Sequence, residues 1–128
     1  MSTESLAAAV HESVPELDSG RITQCMLITL DTLAEHLDDA MGLYIAKSLP
    51  KDAADALRSG ARRANTTGQT IKLTAFIDKI RTRTELPPEQ AEALTYAVAI
   101  TLAHQLGAER TAALSHALPK DLDRLFKE

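Results

Sequence analysis

The chain has 128 residues, of which 45% are hydrophobic, and it carries a net charge of -4 and a single cysteine. One cysteine excludes an intramolecular disulfide, and the acidic balance argues against a dedicated nucleic-acid-binding protein, because phosphate contacts usually require an excess of Lys and Arg. With no Trp, two Phe and two Tyr, the core has to be built from Leu, Ile, Val and Ala. That composition suits closely packed helices.

The first part of the chain predicts two helices. The opening helix spans Thr3 to Val14, and the long helix after it can be capped by Ser19. Apolar residues of the long helix recur every three or four residues, which is the spacing of one helical face. They are Ile22, Cys25, Met26, Thr29, Leu30, Leu33 and Leu37.

Two shorter helices are predicted next, from Ala40 to Ser48 and from Lys51 to Leu57. The second follows the phrase LPKD, in which proline suits a helix start and Asp52 can accept from free amides of the same first turn. A stretch rich in Gly, Arg and small polar residues then predicts a mobile linker over residues 58–70.

The second half predicts four further helices. The first spans Lys72 to Thr84, the second begins at Pro88, and the others span Ala108 to Ala117 and Lys120 to Phe126. The apolar face of the second of these consists of Ala91, Leu94, Val98, Leu102 and Leu106.

The two halves repeat one another at a fixed offset. The phrase TLAEHL, starting at Thr32, returns as TLAHQL at Thr101, and the phrase LPKD, starting at Leu49, returns at Leu118; both pairs differ by 69. In the second LPKD, Asp121 is expected to accept from free amides of its own helix's first turn, as Asp52 is in the first. Such repetition defines the folding unit. We therefore predict one all-α domain over residues 1–128, a helical bundle of two pseudo-symmetric tandem repeats of about four helices each, over residues 4–57 and 72–127.

These phrases, together with AFIDKIRTRTELPPEQA before and within the second long helix and LDRLF at the C-terminal end, resemble the bacterial domain of unknown function 2267. The resemblance covers nearly the whole chain. It implies an all-helical, two-repeat bacterial protein, and it brings no assigned activity.

Residues able to carry chemistry do not form a recognisable site. Cys25 lies on the apolar face of the first long helix and is predicted to be an inert, buried thiol. HESVP at His11 fails as a zinc-protease motif because Pro15 stands where the second histidine is needed, and the pair His36 and Asp39 is isolated. No catalytic, metal or cofactor residues are predicted. The acidic row from Asp31 to Asp39 is interpreted as a solvated helix face.

The middle of the chain is basic. Residues 58–83 hold seven basic residues and one acidic residue, a net charge of +6. This charge either complements the acidic first half within the fold or forms a docking site for an anionic partner. The residues of the possible docking site are Arg58, Arg62, Arg63, Lys79, Arg81 and Arg83.

These observations predict a non-enzymatic protein-binding or scaffold module in the bacterial cytoplasm. The N-terminal residues make a poor signal peptide, and no apolar stretch approaches the length of a membrane span. The partner is expected to be an unknown protein, with a homo-oligomer as one possibility. The alternatives are binding of an anionic partner or a nucleic acid through the basic segment, and an enzyme or small-ligand carrier with a pocket between the repeats.

Overall fold

The computed structural model describes residues 2–62 and 71–126, and all regular structure in these two stretches is helical. The chain is therefore all-α, as predicted. A 3₁₀ helix (Leu122–Phe126) closes the described chain. The six α-helices are α1 (Thr3–Ser13), α2 (Ser19–Ala34), α3 (Asp39–Ala46), α4 (Lys51–Arg62), α5 (Leu73–Thr84) and α6 (Pro88–Ala117).

Helix α2 lies at the centre of the fold. It contacts α1, α4, α5 and α6, so its apolar face is covered on several sides. Every residue of the apolar faces predicted for α2 and α6 is buried. In α3, Ile45 is fully buried and therefore faces the core, whereas Leu43 is exposed.

Two aspartates define where α2 and α3 begin. The Asp18 carboxylate accepts a hydrogen bond of 2.8 Å from the Arg21 amide, and the Asp38 carboxylate accepts one of 2.7 Å from the Met41 amide. Both residues have the extended backbone of an N-cap. The cap of α2 is thus Asp18 and not Ser19, because Ser19 already has helical geometry.

Helix α4 is longer than the sequence indicates. The predicted linker begins at residue 58, but α4 continues through Arg62; residues 63–70, including Arg63, lie outside the described residues. Gly60, which the sequence placed in the linker, lies inside this helix and faces α2 so closely that a Cβ built on it would stand 1.9 Å from the Asp31 carbonyl oxygen. Here glycine permits two helix backbones to touch and does not break the helix.

Helix α6 bends at Gly107, where the sequence predicts a boundary between two helices. The φ of Gly107 is 82° and its ψ is 171°, a backbone conformation that only glycine adopts readily. Helical hydrogen bonding resumes directly after it. The segment that follows carries Leu114 into the core, fully buried.

The C-terminal segment caps α5, the first helix of the second half of the chain. The Asp121 carboxylate accepts a hydrogen bond from the amide of Leu73, the first residue of α5. This bond lowers the pKa of Asp121, and the charges of Arg124 and Lys72 act in the same direction. We predicted that Asp121 would cap its own helix; that prediction is wrong because the segment after it forms a short 3₁₀ turn and not the α-helix expected from residue 120.

Hydrogen bonds from side chains to helix-end carbonyl groups join the first half of the chain to the second. Arg21 Nη2 on α2 donates to the Thr84 carbonyl at the end of α5, over 2.8 Å, and Gln105 Nε2 on α6 donates to the Ser48 carbonyl after α3, over 3.0 Å. Both donors reach carbonyl groups at or just beyond helix ends, which have no partner within the helix. These bonds hold α6 and α5 in place beside the first half.

Candidate functional site

The basic residues of the predicted docking site differ in their surroundings. Arg58 and Arg62 are exposed on the last turns of α4, while Arg81 is exposed on α5 with its Nε 3.6 Å from Asp78 Oδ1. Lys79 and Arg83 project from α5 towards the end of α2. Of the described docking residues, Lys79 and Arg83 therefore turn towards the end of α2, while Arg58, Arg62 and Arg81 stay exposed.

Glu35, immediately after α2, binds two cations of α5, Lys79 and Arg83. Its Oε2 lies 2.8 Å from Arg83 Nη1, and its Oε1 lies 3.3 Å from Lys79 Nζ. Arg83 Nη1 also donates to the Thr32 hydroxyl over 2.9 Å. The Glu35 side chain is only 13% exposed, so these contacts are less screened by water than a surface pair would be. They tie α5 to the end of α2.

The acidic row at the end of α2 is consequently more than a solvated face. Glu35 makes the ion pairs with α5, and Asp38 caps α3. The interpretation of this row as a solvated surface is wrong for Glu35, which is largely buried and ion-paired. Asp38 is exposed, as that interpretation expects. The partners of Glu35 lie more than forty residues away, so spacing alone could not reveal them.

His36 lies half-buried beside the Glu35 ion pairs. Its ring meets Phe76 of α5 edge-on, with 5.9 Å between ring centroids. Among the described residues its Nε2 atom is buried and has no hydrogen-bond partner. Burial lowers the pKa of His36, and the positive charges of Lys79 and Arg83 lower it further, while the neighbouring Glu35 opposes them.

The lowered pKa of His36 predicts that stability falls in mild acid. In the unfolded chain this imidazole takes up a proton near pH ~6.5, whereas the folded protein resists protonation. The unfolded state therefore binds more protons as the pH falls below that value, and the free energy of unfolding decreases. Urea denaturation followed by circular dichroism between about pH 7.5 and pH 5 should show a smaller decrease for His36→Gln than for the wild type.

A matched control for this prediction is His104→Gln, which removes an exposed imidazole from α6 without touching the contact between α2 and α5. Its pH profile should follow that of the wild type. Superimposable profiles for the wild type and His36→Gln would show that protonation of His36 is not coupled to folding.

The remaining reactive side chains are dispersed. Cys25 is buried as predicted, and burial raises the pKa of its thiol although Arg21 beside it acts in the opposite direction. In the described part of the chain, no three His, Cys, Asp or Glu side chains come together as metal ligands. His116 lies in the last turn of α6, where the helix dipole favours a positive charge.

A groove runs between α1 and α6, with a volume of about 340 Å³. It is built from both halves of the chain, and small or apolar side chains dominate its floor. Its lining residues are Ser5, Leu6, Ala9, Glu12, Ser13, Ala97, Ile100, Thr101, His104 and Gln105.

Two bulky apolar side chains of α6 remain exposed at this groove or next to it. Ile100 is 56% exposed and Tyr96, one turn before it, is 39% exposed; Leu43 on α3 is 46% exposed. These three are the large hydrophobic side chains left at the surface of the described residues. Exposed apolar groups that adjoin a groove indicate a binding surface, whereas a single isolated one needs no explanation.

Two other depressions lack this combination. One, near His116 and Lys120 between the end of α6 and the 3₁₀ helix, measures about 520 Å³. The other, between Ile28 of α2 and Ala56 of α4, measures about 350 Å³ and has Arg83 at its edge. Neither contains an exposed bulky apolar side chain.

The family model described as "Uncharacterized conserved protein (DUF2267)" matches residues 6–125, which is nearly the whole chain. The chain belongs to the DUF2267 family. The resemblance inferred from the repeated phrases is thereby confirmed. No curated protein matches the chain in sequence.

A pocket between the repeats was among the expectations for this DUF2267 protein, but the residues that line the groove were not identified from the sequence. A signal was present: Tyr96 and Ile100 are bulky apolar residues four positions apart, and both lie outside the predicted apolar face of α6. What the sequence could not show is that α1 packs beside them.

None of the described helices combines the length and the apolar composition needed to cross a membrane.

Proposed function

We propose that this protein is a non-enzymatic interaction module of the bacterial cytoplasm that binds a protein partner in the groove between α1 and α6. The observation that carries the proposal is Ile100, a large aliphatic side chain that is 56% exposed on the wall of that groove. Exposing it to water is unfavourable, and a partner side chain that covers it would gain hydrophobic free energy. Tyr96 extends the same apolar surface by one helical turn.

The chemistry of the groove favours a protein partner over a substrate. Of its polar lining residues, Gln105 is already engaged in holding the Ser48 carbonyl, and Glu12 and His104 belong to different helices at an open surface. A small-molecule site usually encloses its ligand and directs several polar groups at it. An enzyme or small-ligand carrier is therefore the weaker proposal.

A second candidate is an anionic partner bound by the exposed end of α4. Arg58 and Arg62 are four residues apart, so both project from one face of the helix, and both are exposed. This observation supports the alternative drawn from the basic segment. It lacks the support of Lys79 and Arg83, which bind Glu35 instead.

We also propose that the described helices form one domain of two pseudo-symmetric repeats. Helices α2 and α6 begin 69 residues apart, and Gly107, where α6 bends, stands 69 residues after Asp38, the cap of α3. The bend would then be the second copy of the corner between α2 and α3. Helix α1 begins 70 residues before α5, one residue away from the same register.

The groove proposal can be tested by site-specific crosslinking. Because Cys25 is buried, a maleimide photocrosslinker added to Ala9→Cys reacts at the groove alone. In an extract of the source cells it should capture a discrete polypeptide. Unlabelled wild type should compete for that polypeptide, and Ile100→Ser should compete at least about tenfold less well, as expected for loss of a central apolar contact.

Leu43→Ser provides the matched control, since Leu43 is similarly exposed but lies on α3; it should compete like the wild type. Equal competition by Ile100→Ser and wild type would overturn the groove proposal. Loss of competition only in Arg58→Ala/Arg62→Ala would instead favour the anionic partner.

A further inference from the structure

The groove between α1 and α6 carries negative charge at its edges. Glu12 forms part of its wall on α1, and Glu4 is exposed two turns earlier on the same helix. On α6, Glu89 and Glu92 are exposed just before Tyr96. Among the lining residues, only His104 is able to carry a positive charge.

Helical spacing places these carboxylates beside the apolar surface. Glu92, Tyr96, Ile100 and His104 follow one another at intervals of four and are all exposed, so they form a single row along α6. The other wall, on α1, has Ala9 in its middle and Glu12 towards its end. An apolar centre is therefore flanked by acidic side chains on both helices.

We propose that the occupant of this groove is an amphipathic helix from a partner protein, and that this helix carries Lys or Arg beside its apolar face. This inference rests on the proposed function. A helix laid in a groove is anchored by apolar side chains one turn apart. The volume of about 340 Å³ is at the lower end for a drug-sized ligand, and it suits a few side chains. Cations beside those anchors would meet Glu12 on the α1 wall and Glu92, which is exposed two turns before Ile100 on α6.

The same charges disfavour two other occupants. A second copy of this chain docking through the same surface would bring its own Glu12 and Glu92 towards these carboxylates, and the like charges would repel. A nucleic acid would bring phosphates to the same acidic edges. Complementary charge therefore selects a basic partner helix, and it raises the rate of encounter as well as the specificity.

A pair of synthetic peptides tests this inference directly. Both are helical peptides of about 16 residues with identical Leu positions, and the remaining polar positions are Lys in one and Glu in the other. Fluorescence anisotropy with the full chain should show at least about tenfold tighter binding of the Lys peptide. That preference should shrink as salt is raised, because the charges involved are exposed to solvent.

Three variants localise the effect. Ile100→Ser should abolish binding of the Lys peptide. Glu12→Gln/Glu92→Gln should remove the preference for Lys. Asp39→Asn/Glu109→Gln makes the same change in net charge at exposed positions that belong neither to the groove lining nor to the row from Glu92 to His104, and it should retain the preference.

Absence of binding by the Lys peptide, equal binding of the two peptides, or a preference that survives Glu12→Gln/Glu92→Gln would overturn the inference. Binding of both peptides that is abolished by Ile100→Ser would leave the groove as a protein-binding site with a partner of different charge. The crosslinking experiment with Ala9→Cys decides that broader proposal independently.

Discussion

Gly60→Ala is expected to destabilise the protein by about 3 kcal/mol or more, a cost at the upper end for overpacking a core. Gly60 lies in the contact between α2 and α4, and the added Cβ would stand 1.9 Å from the Asp31 carbonyl oxygen. Backbone cannot rotate out of the way as the end of a side chain can, so the two helices would have to separate. Urea denaturation followed by circular dichroism would measure the loss.

Gly20→Ala is the matched control for this substitution. Gly20 lies in the first turn of α2, and its added Cβ would make an ordinary contact of 3.5 Å with Asp18 Oδ1. Alanine is the better helix former by up to about 1 kcal/mol, so this variant should be as stable as the wild type or more stable. If Gly60→Ala behaved in the same way, the close approach of α2 and α4 would be wrong.

Phe76→Ala is expected to cost about 3–5 kcal/mol. Phe76 is the largest fully buried side chain of the described residues, and it also supports His36 through the edge-on ring contact. Its removal leaves a cavity where α5 meets the end of α2. Because a domain of this size has a total stability of about 5–15 kcal/mol, a substantial shift of the urea midpoint should follow.

The comparison for this variant is Phe126→Ala, which removes the other phenylalanine of the chain. Phe126 is only partly buried, at the end of the 3₁₀ helix, so its truncation should cost about 1 kcal/mol. Similar losses for the two variants would contradict the central position of Phe76. Phe76→Leu, which restores most of the volume, should recover a large part of the stability.

The helical periods of the sequence were sufficient to predict the fold class and much of the core. Ile22, Leu30 and Leu37 in the first half and Leu94 and Leu106 in the second are all buried, as their spacing indicates. This succeeds because one face of a helix must leave water wherever it packs. The family could likewise be recognised, because the repeated phrases lie in the chain itself.

The polar residues were predicted less well, since their roles depend on partners that are distant in sequence. Glu35 meets Lys79 and Arg83 more than forty residues away, and Asp121 caps a helix that begins 48 residues before it. From spacing alone, Glu35 belonged to a solvated face and Asp121 to its own first turn. A carboxylate binds whichever cation or amide the fold brings near, and local pattern does not contain that information.

The roles of Gly60 and Gly107 could not be distinguished from the sequence, for the same reason. Gly107 was placed correctly at a change of direction, where a left-handed backbone requires it, whereas Gly60 was assigned to a linker although it lies in a buried helix contact. The residue permits both an unusual backbone angle and a close approach of two helices. Only the position of α2 decides between these two uses.

By itself, the sequence determined an all-helical chain, the residues of its apolar faces, its repeated phrases and a basic middle segment. The tertiary structure alone decided that Lys79 and Arg83 bind Glu35, and that α1 lies beside Ile100 to form an acidic-edged groove. The physical reason is that helix formation and burial follow from spacing along one chain segment. Ion pairs and grooves, in contrast, arise between segments, at distances that only the packed helices fix.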